Sequence, residues 1–198
     1  MKLLSIDFDY FVNTTKEVRN SKFPVAEDIT NMDEIKNLWD DCYTADKEIR
    51  NIGILNEDYY LLCDFLRHQS LPYLTSYSHK DIYYFTLDLQ RNSETRLQIT
   101  NIDFHHDNYY MYGGRVTCAN WMMKLNEDFG FSKEDVLWVH RNDSETASIA
   151  GDFPYRRTTF LREALRDDYD AVFLCLSPEW TPPHLVGHYN KMKELLGK

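Results

Sequence analysis

Four short apolar runs, each ending in a cluster of charged or polar side chains, constrain this chain more than any other feature. They are Lys2–Phe8 (KLLSIDF), Arg96–Phe104 (RLQITNIDF), Asp135–His140 (DVLWVH) and Asp170–Leu176 (DAVFLCL). Runs with apolar residues on both alternations read as strands covered on both faces, the usual condition of a parallel sheet. A further strand is predicted near Tyr73–Tyr77. Helical patterns fall between the strands: Met32–Asp41, Ala45–Ile52, a helix capped by Asn56 and running to Arg67, 81–90, Val116–Asp128 stopped by Gly130, Thr158–Arg166, and a last helix opened by Pro182 or Pro183 and running toward Leu196. Gly113-Gly114 reads as a turn. Alternating strands and helices predict an α/β fold of three αβα layers with a mainly parallel sheet. No repeat and no Gly-, Ser- or Pro-rich linker interrupts the 198 residues, so one domain over 1–198 is expected. In such folds ligands bind at the carboxyl ends of the strands, where the polar clusters lie.

Composition removes several function classes. Acidic residues outnumber basic ones 32 to 22, for a formal charge of −10, which argues against a nucleic-acid binder with its basic face. No apolar run approaches the length of about 18 residues that a membrane span needs. The opening MKLLSIDFDYF carries carboxylates inside its apolar stretch and is not a signal peptide. Cys42, Cys63, Cys118 and Cys175 are too widely spaced for a zinc rhythm and read as free thiols of a cytoplasmic protein.

The strand ends carry the chemistry. Asp7 and Asp9, two apart on a strand, point to the same side, and such a pair repels unless a cation holds it. Asp103-Phe104-His105-His106-Asp107 is the strongest signal: in D-x-H-x-D three potential ligands alternate down an extended segment. A set rich in carboxylates with some imidazole suits a hard divalent ion such as manganese better than a structural zinc. His79 follows another strand and is either a further ligand or an ordinary histidine. Glu179, in Ser177-Pro178-Glu179-Trp180-Thr181-Pro182, is a ligand, an anchor for a cationic substrate, or part of a rigid turn. His140 ends a strand as an acid or base, or as a satisfied histidine. Asp7, Asp9, His79, Asp103, His105 and Asp107 are too many ligands for one octahedral ion and about right for two sharing carboxylates. Such a pair lowers the pKa of a shared water.

The D-x-H-x-D run Asp103–Asp107 and the S-x-D-x-D run Ser5–Asp9 resemble the two metal motifs of the arginase, agmatinase and histone-deacetylase superfamily. His79-Lys80-Asp81, the D-x-D-x-F run Asp7–Phe11 and the Ser177–Pro182 strand end are closer to an arginase-like branch that includes the peptide arginases. That resemblance implies an arginase-like metallohydrolase using two Mn2+ ions, one held by His79, Asp103, Asp107 and Asp7, the other by Asp103, His105, Asp7 and Asp9. It implies hydrolysis of arginine side chains in a ribosomally made precursor peptide to ornithine and urea, by attack of a bridging hydroxide on the guanidinium carbon. Asp107 would orient that hydroxide and pass a proton to the leaving amine, and Glu179, with Trp180 beside it, would clamp the guanidinium. In arginases the S-x-D-x-D strand follows the D-x-H-x-D strand; here it comes first, so a permuted chain is expected and the strand order stays open. The chain is also shorter than typical arginases, without the loops that grip a free amino acid, which suits a side chain presented by a peptide.

Other readings remain. Asp7-x-Asp9 also resembles the nucleophile motif of haloacid-dehalogenase phosphatases, whose later acidic pair would have to come from Asp167-Asp168. The superfamily also contains deacetylases and other amidohydrolases, which need about three ligands. A metal and peptide binder without turnover is a third possibility. The polar segment Asn13–Arg50, with Trp39 and Tyr43, either contacts a peptide at the site mouth or merely covers the sheet.

Overall fold

The computed structural model describes residues 1–24, 28–29, 31–91, 95–109, 114–144, 147–148, 151–152 and 154–198. Its strands are β1 (Lys2–Asp7), β2 (Val12–Asn13), β3 (Gly53–Ile54), β4 (Tyr73–Ser76), β5 (Gln98–Ile102), β6 (Val136–Val139), β7 (Ala147–Ser148), β8 (Gly151–Asp152), β9 (Arg156–Thr158) and β10 (Ala171–Cys175). The helices are α1 (Lys16–Lys22), α2 (Met32–Ala45), α3 (Asn56–Arg67), α4 (Asp81–Gln90), α5 (Trp121–Phe129), α6 (Leu161–Ala164) and α7 (Val186–Leu196). Six strands form one sheet in the order β4-β10-β1-β5-β6-β9, and every neighbouring pair is parallel.

Alternation along the strands sends side chains into two apolar layers. Leu4, Ile6, Val172, Leu174 and Val139 pack under α2, α3, α6 and α7. Leu3, Ile99, Trp138 and Phe173 pack under α4 and α5 through Ile82, Trp121, Met122 and Leu125. This is the expected three-layer αβα arrangement. Each such side chain taken out of water contributes roughly 1.5–3 kcal/mol, so the central strands are held from both faces.

The strand order left open by the sequence is now defined. β1 lies between β10 and β5, in register Leu3↔Ala171 and Leu3↔Ile99. The S-x-D-x-D strand therefore delivers its carboxylates between the D-x-H-x-D end of β5 and the Ser-Pro-Glu end of β10, although it is reached first along the chain.

Several local expectations change. Asn56 opens α3 but does not cap it: Leu55 is the N-cap and offers no side-chain acceptor. α5 begins at Trp121 and not at Val116, because Asn120 holds the preceding turn, its Oδ1 accepting from Thr117 N (2.7 Å) and its Nδ2 donating to Arg115 O (2.9 Å). Gly130 does end it, at φ +62. Such a left-handed stop favours glycine. Gly113 lies outside the described residues, while Gly114 has a positive φ. The predicted Thr158–Arg166 helix is mostly absent. Residues 156–158 instead pair with β6 as an edge strand, and the helix shrinks to α6. Unpaired backbone on β6 outweighs the local helical preference there. Finally, β2 and β3 form a small antiparallel clasp, Val12↔Ile54 and Asn13↔Gly53, which closes the excursion 14–52 at its base.

Candidate metal centre

The carboxyl end of β1 stops at Asp7 and turns at once into a 3-10 helix, Phe8–Phe11. Asp7 caps that turn, its Oδ1 accepting from Asp9 N at 3.2 Å. The two carboxylates thus converge through a turn, and not through strand alternation as expected. The D-x-H-x-D segment is likewise not extended. β5 ends at Ile102, the chain bends, His105 N donates to Asp103 Oδ1 (2.8 Å), and Asp107 adopts a left-handed φ of +50. Left-handed conformations are sparsely populated for non-glycine residues, with Asp among the better tolerated. Ser177, after β10, has a φ of +46. Such strain recurs at sites where side-chain direction matters more than local energy.

These turns bring all six predicted ligands together. His79 Nδ1, just before α4, lies 3.2 Å from Asp7 Oδ2, 3.1 Å from Asp103 Oδ2 and 2.9 Å from Asp107 Oδ2. His105 Nδ1 lies 3.1 Å from Asp9 Oδ2 and 4.0 Å from Asp103 Oδ1. Two groups of ligand atoms result, Asp7–His79–Asp103 and Asp9–Asp103–His105, with Asp103 common to both.

The donor set fits divalent cations. His79 Nε2 is 2.8 Å from Ser5 Oγ, and Nδ1 has no partner in hydrogen-bond geometry. Burial opposes a charged His79, but the three carboxylates around Nδ1 override it and raise the imidazole well above its ordinary value; a cation among them would take the place of the Nδ1 proton, leaving the Nε2 proton toward Ser5. Asp9 Oδ2 also has no hydrogen-bond partner. Surrounding donors aim the carboxylates: Ser177 Oγ donates to Asp7 Oδ2 (2.6 Å), Trp121 Nε1 to Asp107 Oδ2 (2.6 Å) and Asn101 Nδ2 to Asp103 Oδ2 (3.2 Å). Outer contacts of this kind orient ligands in metal sites.

Electrostatics in the metal-free protein reflect crowding. Burial, with the charges of Asp9 and Asp103, pushes Asp7 up to about 6. Burial and the neighbouring Asp107 push Asp103 up to about 7. Burial also opposes ionisation of Asp9, yet His105 and Arg19 outweigh it and hold Asp9 below the ordinary carboxylate value. Burial disfavours a charged His105, but Asp9 overrides it and raises the imidazole to about 9.

Above the cluster is a cavity of about 260 Å³ lined by Asp7, His79, His105, Asp107, Glu179 and Trp180, among others. Glu179 is only 3% exposed. Its Oε1 accepts from Asp28 N (3.3 Å), while Oε2 has no hydrogen-bond partner. Burial raises its carboxyl to about 7. The Trp180 ring stands 4.8 Å from that of His105 and forms another wall.

Comparison with known proteins adds little to this geometry. No protein-family model and no curated protein matches the chain. Among solved structures it is similar to a crystal structure of Trypanosoma cruzi formiminoglutamase with Mn2+, at a TM-score of 0.34 and 12% identity, over 100% of this chain and 66% of that one. A likeness this slight leaves the case to the residues themselves.

His140 is not brought to the cluster. It packs against Trp138 at 4.6 Å, its Nδ1 is 2.8 Å from Arg141 O, and it does not line the cavity, so its position corrects the expectation of an acid or base there. Within the 14–52 excursion, Trp39 and Tyr43 are buried. Trp39 Nε1 donates to Pro178 O (2.8 Å), which braces the Glu179 loop, and Tyr43 Oη is 2.8 Å from His184 Nδ1. Neither lines the cavity; Lys16 and Asn20 do. Asp167 ion-pairs with Lys2 (3.2 Å), at the opposite end of β1 from Asp7. Six residues of strand span roughly 16 Å, too far for one phosphatase site. Sequence reasoning missed Asp28, whose Oδ1 accepts from Ser78 Oγ and whose Oδ2 pairs with Lys80 Nζ (3.0 Å), and it missed Arg19 beneath Asp9. A single Asp or Arg in a polar stretch carries no periodic signal.

Proposed function

We propose that this chain is a metal-dependent hydrolase of guanidinium groups that acts on arginine side chains within a peptide, giving ornithine and urea, with two Mn2+ ions as cofactors. The observation that carries the reading is the pairing, in one cavity, of two ligand groups sharing Asp103 with a buried carboxylate, Glu179, that keeps one oxygen free of partners. Asp7, His79, Asp103 and Asp107 would hold one ion, and Asp9, Asp103 and His105 the other. When bound, the ions would lower the pKa of a water between them and supply hydroxide near neutral pH.

The chain's own residues do the rest. Glu179 Oε2 accepts from a guanidinium N–H, while Asp28 N holds Oε1 and so fixes the plane of the carboxylate. Burial disfavours the ionised Glu179 carboxyl and raises it to about 7, and a guanidinium beside it would favour the carboxylate. Trp180 and Phe104 supply apolar walls to the cavity. Asp107, held by Trp121, is placed to hold a proton and return it to the departing amine. The six-ligand set favours this over a deacetylase.

The test is an incubation of the purified protein plus Mn2+ with an arginine-containing peptide and, separately, with free arginine. Mass spectrometry reads the loss of the carbodiimide unit from each arginine. Loss from the peptide, absent in Asp103→Ala and Glu179→Ala, is expected. No loss from either substrate with metal bound would overturn the guanidinium reading and leave only the metal site.

A further inference from the structure

Arg19 lies in α1 with its side chain wholly buried. Nη1 is 3.6 Å from Asp9 Oδ2, and Nη2 donates to Asp9 O (2.7 Å) and Val12 O (3.0 Å). The guanidinium carbon sits 4.1 Å from the centre of the Phe104 ring, whose residue lies between Asp103 and His105. Nε and Nη1 have no hydrogen-bond partner. Arg141, 5.4 Å from the same ring, adds a second cation on that side. Its charge is shared with Asp143 (2.9 Å), while Arg19 faces Asp9 directly. Among the described residues no lysine or arginine ion-pairs with Asp7 or Asp103, and Arg19 acts on Asp7 only more weakly than on Asp9: His79 faces three carboxylates there, and the donors to them are the uncharged Ser177, Trp121 and Asn101.

A fixed cation beside a ligand carboxylate spends part of that ligand's attraction before a metal arrives, and in a buried setting the loss is poorly screened. We infer that Arg19 makes the two cation positions unequal by acting as a resident counter-ion to Asp9, so that the position at Asp9, Asp103 and His105 holds its ion more weakly than the position at Asp7, His79 and Asp103. The inference rests on the metal-centre reading above but concerns a residue outside the ligand set. It also gives the 14–52 excursion a part in the site: α1 carries the charge that sets the second affinity.

The experiment is Mn2+ titration of the full chain by calorimetry, with bound metal counted after equilibrium dialysis, for the wild type, Arg19→Gln and Arg19→Lys. The wild type is expected to bind in two steps at least tenfold apart. Arg19→Gln should tighten the weaker step tenfold or more, and Arg19→Lys, which keeps the charge, should leave the gap. Asp9→Asn should remove the weaker step and spare the tighter one, which assigns the weaker step to the Asp9 position, and Arg19→Met is the second charge-free variant should Arg19→Gln not fold. Two equal steps in the wild type, an unchanged gap in folded Arg19→Gln, or loss of the tighter step in Asp9→Asn would overturn the role of Arg19. Absence of any Mn2+ binding to the wild type would instead overturn the metal centre itself.

Discussion

The two ends of the central sheet handle charge in opposite ways. At the amino ends, Lys2 pairs with Asp167 (3.2 Å), Asp170 accepts from Lys2 N (2.7 Å), and Arg96 meets Asp135 with two donors at 2.5 Å each. Asp135 also accepts from Ser132 N and Oγ at 2.6 and 2.7 Å, completing a capping box. At the carboxyl ends, Asp7, Asp9, Asp103 and Asp107 crowd two imidazoles, and Asp9 Oδ2, His79 Nδ1 and Glu179 Oε2 lack hydrogen-bond partners. Charge that is fully satisfied stabilises; charge held together unsatisfied needs something from outside. The contrast marks the carboxyl end as a site without appeal to any relative.

The largest expected effect comes from the residue common to both ligand groups. Asp103→Ala should abolish bound Mn2+ at both positions, read by elemental analysis after dialysis, and lower arginine-peptide hydrolysis by about a thousandfold or more. Next, Glu179→Gln should keep the metal and lose about a hundredfold in rate, because a neutral amide replaces a charge-assisted acceptor worth roughly 1.5–3 kcal/mol. Retained rate with metal intact would remove Glu179 from substrate binding.

At the other end the same chemistry should affect stability alone. Asp135→Asn should leave metal content unchanged and cost about 1 kcal/mol in denaturant unfolding, since solvent screens the exposed Arg96. The Arg96 hydrogen bonds hold the Asp135 carboxyl down to about 2 from 3.8. A depressed carboxyl contributes stability that is present above the unfolded value and lost as pH falls through the folded one. Acid unfolding should therefore steepen between about pH 4 and 2, and the slope should flatten in Asp135→Asn.

The last effect has the opposite sign. In metal-free protein, Asp7→Asn removes one of the crowded carboxylates and should raise stability by about 1 kcal/mol, a melting shift of about 2–4 °C. Loss of stability instead would mean that the carboxyl end is satisfied by its own hydrogen bonds, and the contrast between the two ends would fail.

What the sequence shows follows the range of the interactions concerned. β1, β5, β6 and β10 were legible because burial on both faces writes apolar runs into the chain. The cluster was legible because Asp7, Asp9, His79, Asp103, His105 and Asp107 lie at or just after strand ends and their residue types match cation chemistry. β9 was not legible, since its three residues RRT owe their strand to an exposed edge of β6 and not to their own pattern. Arg19 was not legible because a buried arginine looks like any surface arginine until the carbonyls of Asp9 and Val12 are seen around it. The left-handed turns at Asp107 and Ser177 were hidden for the same reason: non-glycine residues carry no mark of positive φ.

The β2–β3 clasp has a consequence for how such a chain can change. With Asn13 and Gly53 paired, entry and exit of the excursion sit side by side, so residues added or removed far from the clasp alter closure entropy only logarithmically and leave the register of β1 untouched. Arg19 lies close to the clasp, bound to Val12 O within it. Drift in length is thus confined to stretches between fixed contacts, because Asp28 and Trp39 hold the outer part of the excursion to the Glu179 loop while its first turn of helix stays tied to the charge at Asp9.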